Sequence, residues 1–242
     1  MARDFNVVSN VAIVLAAIAV GGTSLYNAFL RPTPRSGGLD PNAPPEFVEN
    51  WDQLQRIGIR TGDSAAPVQI VEFADLECPF CAKYEATLAA LMERYPGKVS
   101  RVFIHFPLEM HPYARRAAQA VECAAERGVF ESALGRVYSH QLDFSTNPWS
   151  KIALEVGVKD TIEFSKCVFH DSERPRIKAG ERVAKQIALA GTPTVLINGY
   201  LYVGAPPDSI LDRAVVAIMG GKKVPNASSN RSTRRVDISV TN

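Results

Sequence analysis

A near-continuous apolar run, Val68-Gln69-Ile70-Val71-Glu72-Phe73-Ala74, leads through a short acidic link into Cys78-Pro79-Phe80-Cys81 and then a helix-like stretch ending near Arg94. Few chains can satisfy that order in more than one way. The run suits a strand covered on both faces. A second β-branched and aromatic run at 99–106 follows the helix, so the order is strand, helix, strand. That unit predicts parallel pairing through a right-handed crossover. Two cysteines three apart on a first helical turn share one face, within the span that a disulfide requires. The helix start favours thiolate over thiol, and Pro79 fits the first helical position because its missing N–H would go unpaired there anyway. Reversible dithiol–disulfide chemistry is the leading reading. A permanent disulfide and half of a zinc site use the same spacing, although no C-x-x-C or H-x-x-x-H partners Cys123 or Cys167.

The chain has 242 residues, of which 46% are hydrophobic and 21% charged, enough for one sizeable core. A net charge of +2 without a basic, aromatic-interleaved stretch argues against nucleic acid as a partner. From Phe5 to Leu30 no residue is charged, which is long enough for one transmembrane helix. A cleaved signal peptide with Ala17-Ile18-Ala19 as its site is the competing reading. Asp4 in the leading region, and apolar character beyond that site, favour a retained anchor. Arg3 before the span and Arg31 and Arg35 after it do not set the orientation. Four cysteines place the following domain on the oxidising, extracytoplasmic side of the cell membrane, periplasmic or at the cell surface.

Five prolines and two glycines between 31 and 45 read as a tether, taken to extend to 54. The core domain is assigned to 55–220. Within it, 57–60 is a short strand candidate, and helical periodicity across about 113–176 marks an insertion. Thr194-Val195-Leu196-Ile197, Asn198-Gly199 and Tyr200-Leu201-Tyr202-Val203 form a hairpin. A last helix from Pro207 to Met219 ends at Gly220-Gly221. Residues 221–242 read as a disordered tail.

Four segments, in this order, carry a resemblance: Glu-Phe-Ala-Asp-Leu-Glu-Cys-Pro-Phe-Cys at 72–81, His-Pro-Tyr-Ala at 111–114, Cys-Ala-Ala-Glu-Arg-Gly-Val-Phe at 123–130 and Gly-Thr-Pro-Thr-Val at 191–195. Together they resemble the DsbA-like branch of the thioredoxin superfamily. The resemblance implies an α/β thioredoxin fold with a helical insertion, here preceded by a single transmembrane helix. It implies a protein-disulfide oxidoreductase in which Cys78 is the nucleophile and Cys81 the resolving thiol. Thr192 and a cis Pro193 face the pair and receive substrate, with Phe80 as a further substrate contact. Glu72 takes the place of the acid beneath the active site, where burial raises its pKa and lets it relay a proton for Cys81. Cys123 and Cys167 correspond to a second disulfide that some relatives carry in the insertion, two buried free thiols being the alternative. Such a bridge restricts the unfolded chain by about 4 kcal/mol on the chain-entropy account.

No cofactor or metal is expected. Implied partners are exported cysteine-containing proteins and a membrane redox protein, either a quinone-linked oxidase or a supplier of reductant. A monomer is expected. Asp75 and Glu77 read as solvated loop acids, and the four histidines as structural or surface residues, with His105 or His111 near the active-site end. Pro-Phe between the cysteines gives the thiolate no charged neighbour, which suggests an oxidant milder than Pro-His members; a thiol reductase is the alternative direction. Cu(I) capture by the two thiolates is a separate alternative, although copper-delivery relatives of this fold space their cysteines by three residues and add a histidine.

Overall fold

The computed structural model describes residues 45–170, 174–224 and 233–236. The uncharged span 5–30 and most of the tether lie outside these residues, as does most of the tail. Among the described residues no helix is long and apolar enough to cross a membrane.

In chain order the elements are β1 (Glu46–Glu49), a 3-10 turn (Trp51–Arg56), β2 (Ile59–Thr61), β3 (Val68–Ala74), α1 (Pro79–Arg94) and β4 (Val99–His105). Helices α2 (Ala114–Ala125) and α3 (Phe130–Ser139), a second 3-10 segment (Gln141–Thr146), α4 (Trp149–Glu155), α5 (Thr161–Val168) and α6 (Pro175–Gln186) follow. The chain closes with β5 (Thr194–Ile197), β6 (Tyr200–Val203), α7 (Asp208–Met219) and β7 (Thr233–Arg235). The sheet order is β2-β4-β3-β5-β6-β1-β7.

β3 lies inside the sheet, between β4 and β5, where both of its largely apolar faces are covered. It pairs in parallel with β4 from Val68↔Val99 to Ala74↔His105, and antiparallel with β5. Val68 and Ile70 pack with Leu88 and Leu91 of α1 and with Leu211 and Val215 of α7. Val71 and Phe73, on the opposite face, pack with Val183 and Ala184 of α6. Alternation along the strand therefore turns Glu72 toward the α1 side. On the other face α6 approaches very closely: a Cβ on Gly180 would stand 2.1 Å from the carbonyl oxygen of His105. Asn198 and Gly199, with φ of 45° and 85°, turn β5 into β6, the left-handed pair that a two-residue hairpin demands.

Two boundaries differ from the sequence expectation. Residues 46–54 belong to the fold and not to the tether, since β1 pairs antiparallel with β6 and Leu54 is buried. The stretch 221–242 is not uniformly a loose tail either. Val224 is buried, β7 pairs in parallel with β1, and the buried Val236 joins a cluster with Val48 and Leu54. The sequence concealed this because backbone pairing at a sheet edge asks little of the side chains, and three- or four-residue strands carry no measurable periodicity. Cys123 and Cys167, 44 residues apart, form a disulfide that ties α2 to α5.

Candidate active site

Cys78 caps the N-terminus of α1, with extended backbone angles, and Pro79 is the first helical residue. The Cys78 carbonyl accepts the N–H groups of Cys81 and Ala82 at 3.1 and 3.2 Å, so the pair is wound into the opening turn. Both thiols are free. Cys78 is 4% exposed and Cys81 not at all.

Opposite them lies the loop before β5, where the Thr192–Pro193 peptide bond is cis. The Cys78 thiol donates to the Thr192 carbonyl oxygen at 3.5 Å. The Thr192 hydroxyl oxygen is buried and has no hydrogen-bond partner among the described residues. It is placed to donate once Cys78 ionises. Phe80, between the cysteines, is 69% exposed.

The environment drives the two sulfurs apart. Cys78 is lowered from the usual 9.0 to about 5, first by a hydrogen bond from the Cys81 thiol. Burial opposes this, and the Thr192 hydroxyl and the N–H groups of Cys81 and Phe80 add to the lowering. Burial pushes Cys81 far up, reinforced by its bond to Cys78 and by the negative charges of Glu72 and Cys78. One thiol ionises readily and the other keeps its proton. Alkylation of reduced protein is therefore expected to follow a single transition near pH 5, with Cys81 unreactive throughout. A midpoint near 9 would contradict this arrangement.

Beneath the cysteines Glu72 is fully buried, and among the described residues neither of its oxygens has a hydrogen-bond partner. Burial raises it from 4.5 to about 8, opposed by Arg101 and assisted by Glu85. Arg101, on β4 and itself buried, stands 3.8 Å from Glu72 and 2.5 Å from Glu85 of α1. The hydroxyls of Tyr84 and Tyr138 are also buried without hydrogen-bond partners among the described residues, and the negative charge of Glu72 contributes to raising both. Arg101, Glu85 and Tyr138 were not among the sequence candidates. Arg101 enters because β4 lies in parallel register beside β3, while Glu85 and Tyr138 are carried in on α1 and α3.

Asp75 corrects the expectation of a solvated acid: it is 1% exposed. Its carboxylate accepts the N–H of Glu77 and of Leu108, each at 2.7 Å, and holds His111 Nδ1 at 2.8 Å. Glu77 in turn accepts the Tyr113 N–H at 2.6 Å. The two acids thus fasten the loop after β4 beside the cysteines, and His111 is the histidine that reaches this end. His105 turns away, to Glu122 at 3.0 Å. Gln141, in the insertion, donates to the carbonyls of Leu76 and Cys78 at 2.9 and 3.0 Å. No sequence signal distinguishes that glutamine from any other. Among the described residues no cluster of three or more histidine, cysteine or acidic side chains suited to a metal ion occurs.

A dithiol at a helix start, facing a cis-proline loop across a sheet with a helical insertion, defines a thioredoxin-fold protein of the DsbA-like kind. Residues 55–216 match the family described as Thioredoxin, and the chain belongs to that family. It is similar to the Na(+)/H(+) antiporter NhaA 3 of Salinispora tropica, with 31% identity over 164 residues, 67% of this chain but 25% of that protein. The chain thus spans about a quarter of the length of the antiporter relatives it matches. It is also 28% identical to the probable disulfide bond formation protein D of Bacillus cereus, over 61% of this chain and 71% of that one. Among solved structures, BdbD from Bacillus subtilis shares the fold with a TM-score of 0.62 at 16% identity, covering 69% of this chain and 95% of that one. The α-DsbA2 protein of Wolbachia pipientis does so at 0.61 and 19%, covering 69% and 90%.

Proposed function

We propose that this chain is a thiol–disulfide oxidoreductase that exchanges disulfides with exported proteins and works mainly as an oxidase. The observation that carries the reading is the opposed pair of thiols, Cys78 lowered to about 5 and Cys81 pushed far up, in front of Thr192. From the oxidised state, a substrate thiolate attacks Cys78 Sγ, and Cys81 leaves with the electron pair. Cys81 takes a proton from Glu72, whose raised value keeps that proton available near neutral pH. The second substrate thiolate then attacks its own sulfur in the mixed disulfide and releases Cys78 as the stabilised thiolate. The substrate loses two electrons to the disulfide and two protons to solvent, from which Glu72 recovers the one it gave to Cys81. The backbone of Thr192 beside Pro193 is available to pair with an extended substrate segment, and the exposed Phe80 gives it an apolar contact.

Direction follows from the same ionisation. Holding Cys78 two units below pH 7 stabilises the reduced form by about 2.7 kcal/mol, or about 60 mV of oxidising power. Measured against glutathione buffers, the Cys78/Cys81 couple is expected near about −210 mV, above the roughly −270 mV of thioredoxin. A value at or below the thioredoxin level would make the chain a reductase.

The uncharged span 5–30 supports attachment to the cell membrane with the catalytic domain on the extracytoplasmic side. The antiporter relatives, whose name places them in a membrane, support that location; ion exchange itself is not carried over. Recycling then falls to a membrane redox protein, a quinone-linked oxidase for the oxidase direction. The chain acts as a monomer in this reading.

A further inference from the structure

The second disulfide is placed for chemistry of its own. Cys123 is fully buried on α2, whereas Cys167 on α5 is only half-buried and borders an open cavity of about 400 Å³. That volume lies within the range of small-molecule sites, about 300–1,000 Å³. Arg174 stands over the bridge. Its Nη2 lies 2.8 Å from Cys167 Sγ and 3.5 Å from Cys123 Sγ, while Nη1 pairs with Glu126. Its Nε is buried with no hydrogen-bond partner among the described residues. A guanidinium gains little from a neutral disulfide sulfur, which is a weak acceptor. Against a thiolate the same geometry becomes a charge-assisted hydrogen bond. The arginine therefore matches the state that the bridge enters when it opens. Among the described residues the cavity is lined by three cations, Arg127, Lys166 and Arg174, and two carboxylates, Glu126 and Glu163, with Lys166 paired to Glu163 at 2.6 Å.

We propose that Cys167 is a site of reversible thiolation by a small carboxylate-bearing thiol of the glutathione class, which enters this cavity and opens the Cys123–Cys167 bridge. The incoming thiolate attacks Cys167 Sγ, the accessible sulfur. The S–S bond breaks, and Cys123 leaves with the electron pair as a thiolate beside Arg174. A second small thiolate attacks the mixed disulfide at its own kind of sulfur and frees Cys167, so two small thiols are oxidised as the bridge gains two electrons. The opening reaches the active-site side of the molecule through α2. That helix carries Glu122, which is bonded to His105 at the end of β4 and to Arg176 of α6. Its Ala117, Ala120 and Val121 share a core cluster with Cys78 and Cys81. This inference does not rest on the oxidoreductase reading.

The test uses the full chain with Cys78→Ser and Cys81→Ser, which leaves Cys123 and Cys167 as the remaining cysteines of four. The folded protein is treated with reduced glutathione, quenched by alkylation and mapped by mass spectrometry. Expected are native-state opening and a glutathione adduct on Cys167 with none on Cys123. Loss of a hydrogen bond to a charged sulfur predicts that Arg174→Ala slows opening about tenfold or more, with Arg174→Lys recovering part of the rate. Glu126→Gln, which releases Arg174 from its carboxylate, is expected to act in the opposite direction and speed opening. Neutral 2-mercaptoethanol is expected to react more slowly than glutathione at equal thiolate concentration. A bridge that opens only in denaturant overturns the proposal. So does an adduct on Cys123, a pair of Arg174 and Glu126 variants that shift the rate in the same direction, or no preference between the two thiols.

Discussion

Cys81→Ser is expected to accumulate mixed disulfides with substrate proteins through Cys78, while Cys78→Ser loses exchange by at least about a thousandfold, as removal of a nucleophile does. Serine is the informative replacement at 81. The first cause of the low Cys78 value is the hydrogen bond from the Cys81 side chain, and a serine hydroxyl preserves a donor there. The nucleophile stays ionised, but no thiol remains to resolve the adduct. Cys81→Ala removes the donor as well, so its Cys78 is expected to titrate higher and to form adducts more slowly near pH 6. Non-reducing electrophoresis and mass spectrometry of adducts formed in cells provide the readout. Equal adduct yields from Cys78→Ser would reverse the two roles, and none from Cys81→Ser would remove the exchange reading.

Glu72→Gln is expected to stabilise the protein at neutral pH while impairing it as a catalyst. The folded value of Glu72, about 8, lies above its ordinary 4.5. The folded state therefore holds a proton that the unfolded chain has released, and stability falls as pH rises from 4.5 toward 8, then levels. At pH 7 the penalty is on the order of 3 kcal/mol. Glutamine carries no charge at any pH, so the variant is expected to show a flatter profile across that window and little change at pH 4, where Glu72 is protonated in both states. Denaturant titration of the reduced proteins from pH 4 to 9 measures this. Resolution of the mixed disulfide by Cys81 is expected to slow about a hundredfold, the scale of a lost acid–base group. A variant less stable than the parent at pH 7, or unchanged in that step, would place Glu72 in a structural role.

Much of this was readable from the residues. The Val68–Ala74 run, the cysteine pair at a helix start and Asn198-Gly199 each carry a local physical signal, and each stands where that signal puts it; the cis bond before Pro193 was legible only through the resemblance. What escaped was decided at a distance. Asp75 reads as an exposed loop acid until three donors, two of them from beyond β4, close on it. Arg101 becomes part of the site because β4 lies in parallel register beside β3. Gln141 reaches the Cys78 carbonyl from the far side of the insertion. Short outer strands, set by backbone pairing, were hidden for the same reason.

The two outermost strands, β2 and β7, are three residues each. In the role proposed above the protein meets extended segments continually, and any long unpaired strand flank would invite them to adhere in the wrong place. By laying its own C-terminal residues along β1, the molecule leaves little ribbon for such clients to zip onto. Contact is thereby steered toward the sulfur that can release them.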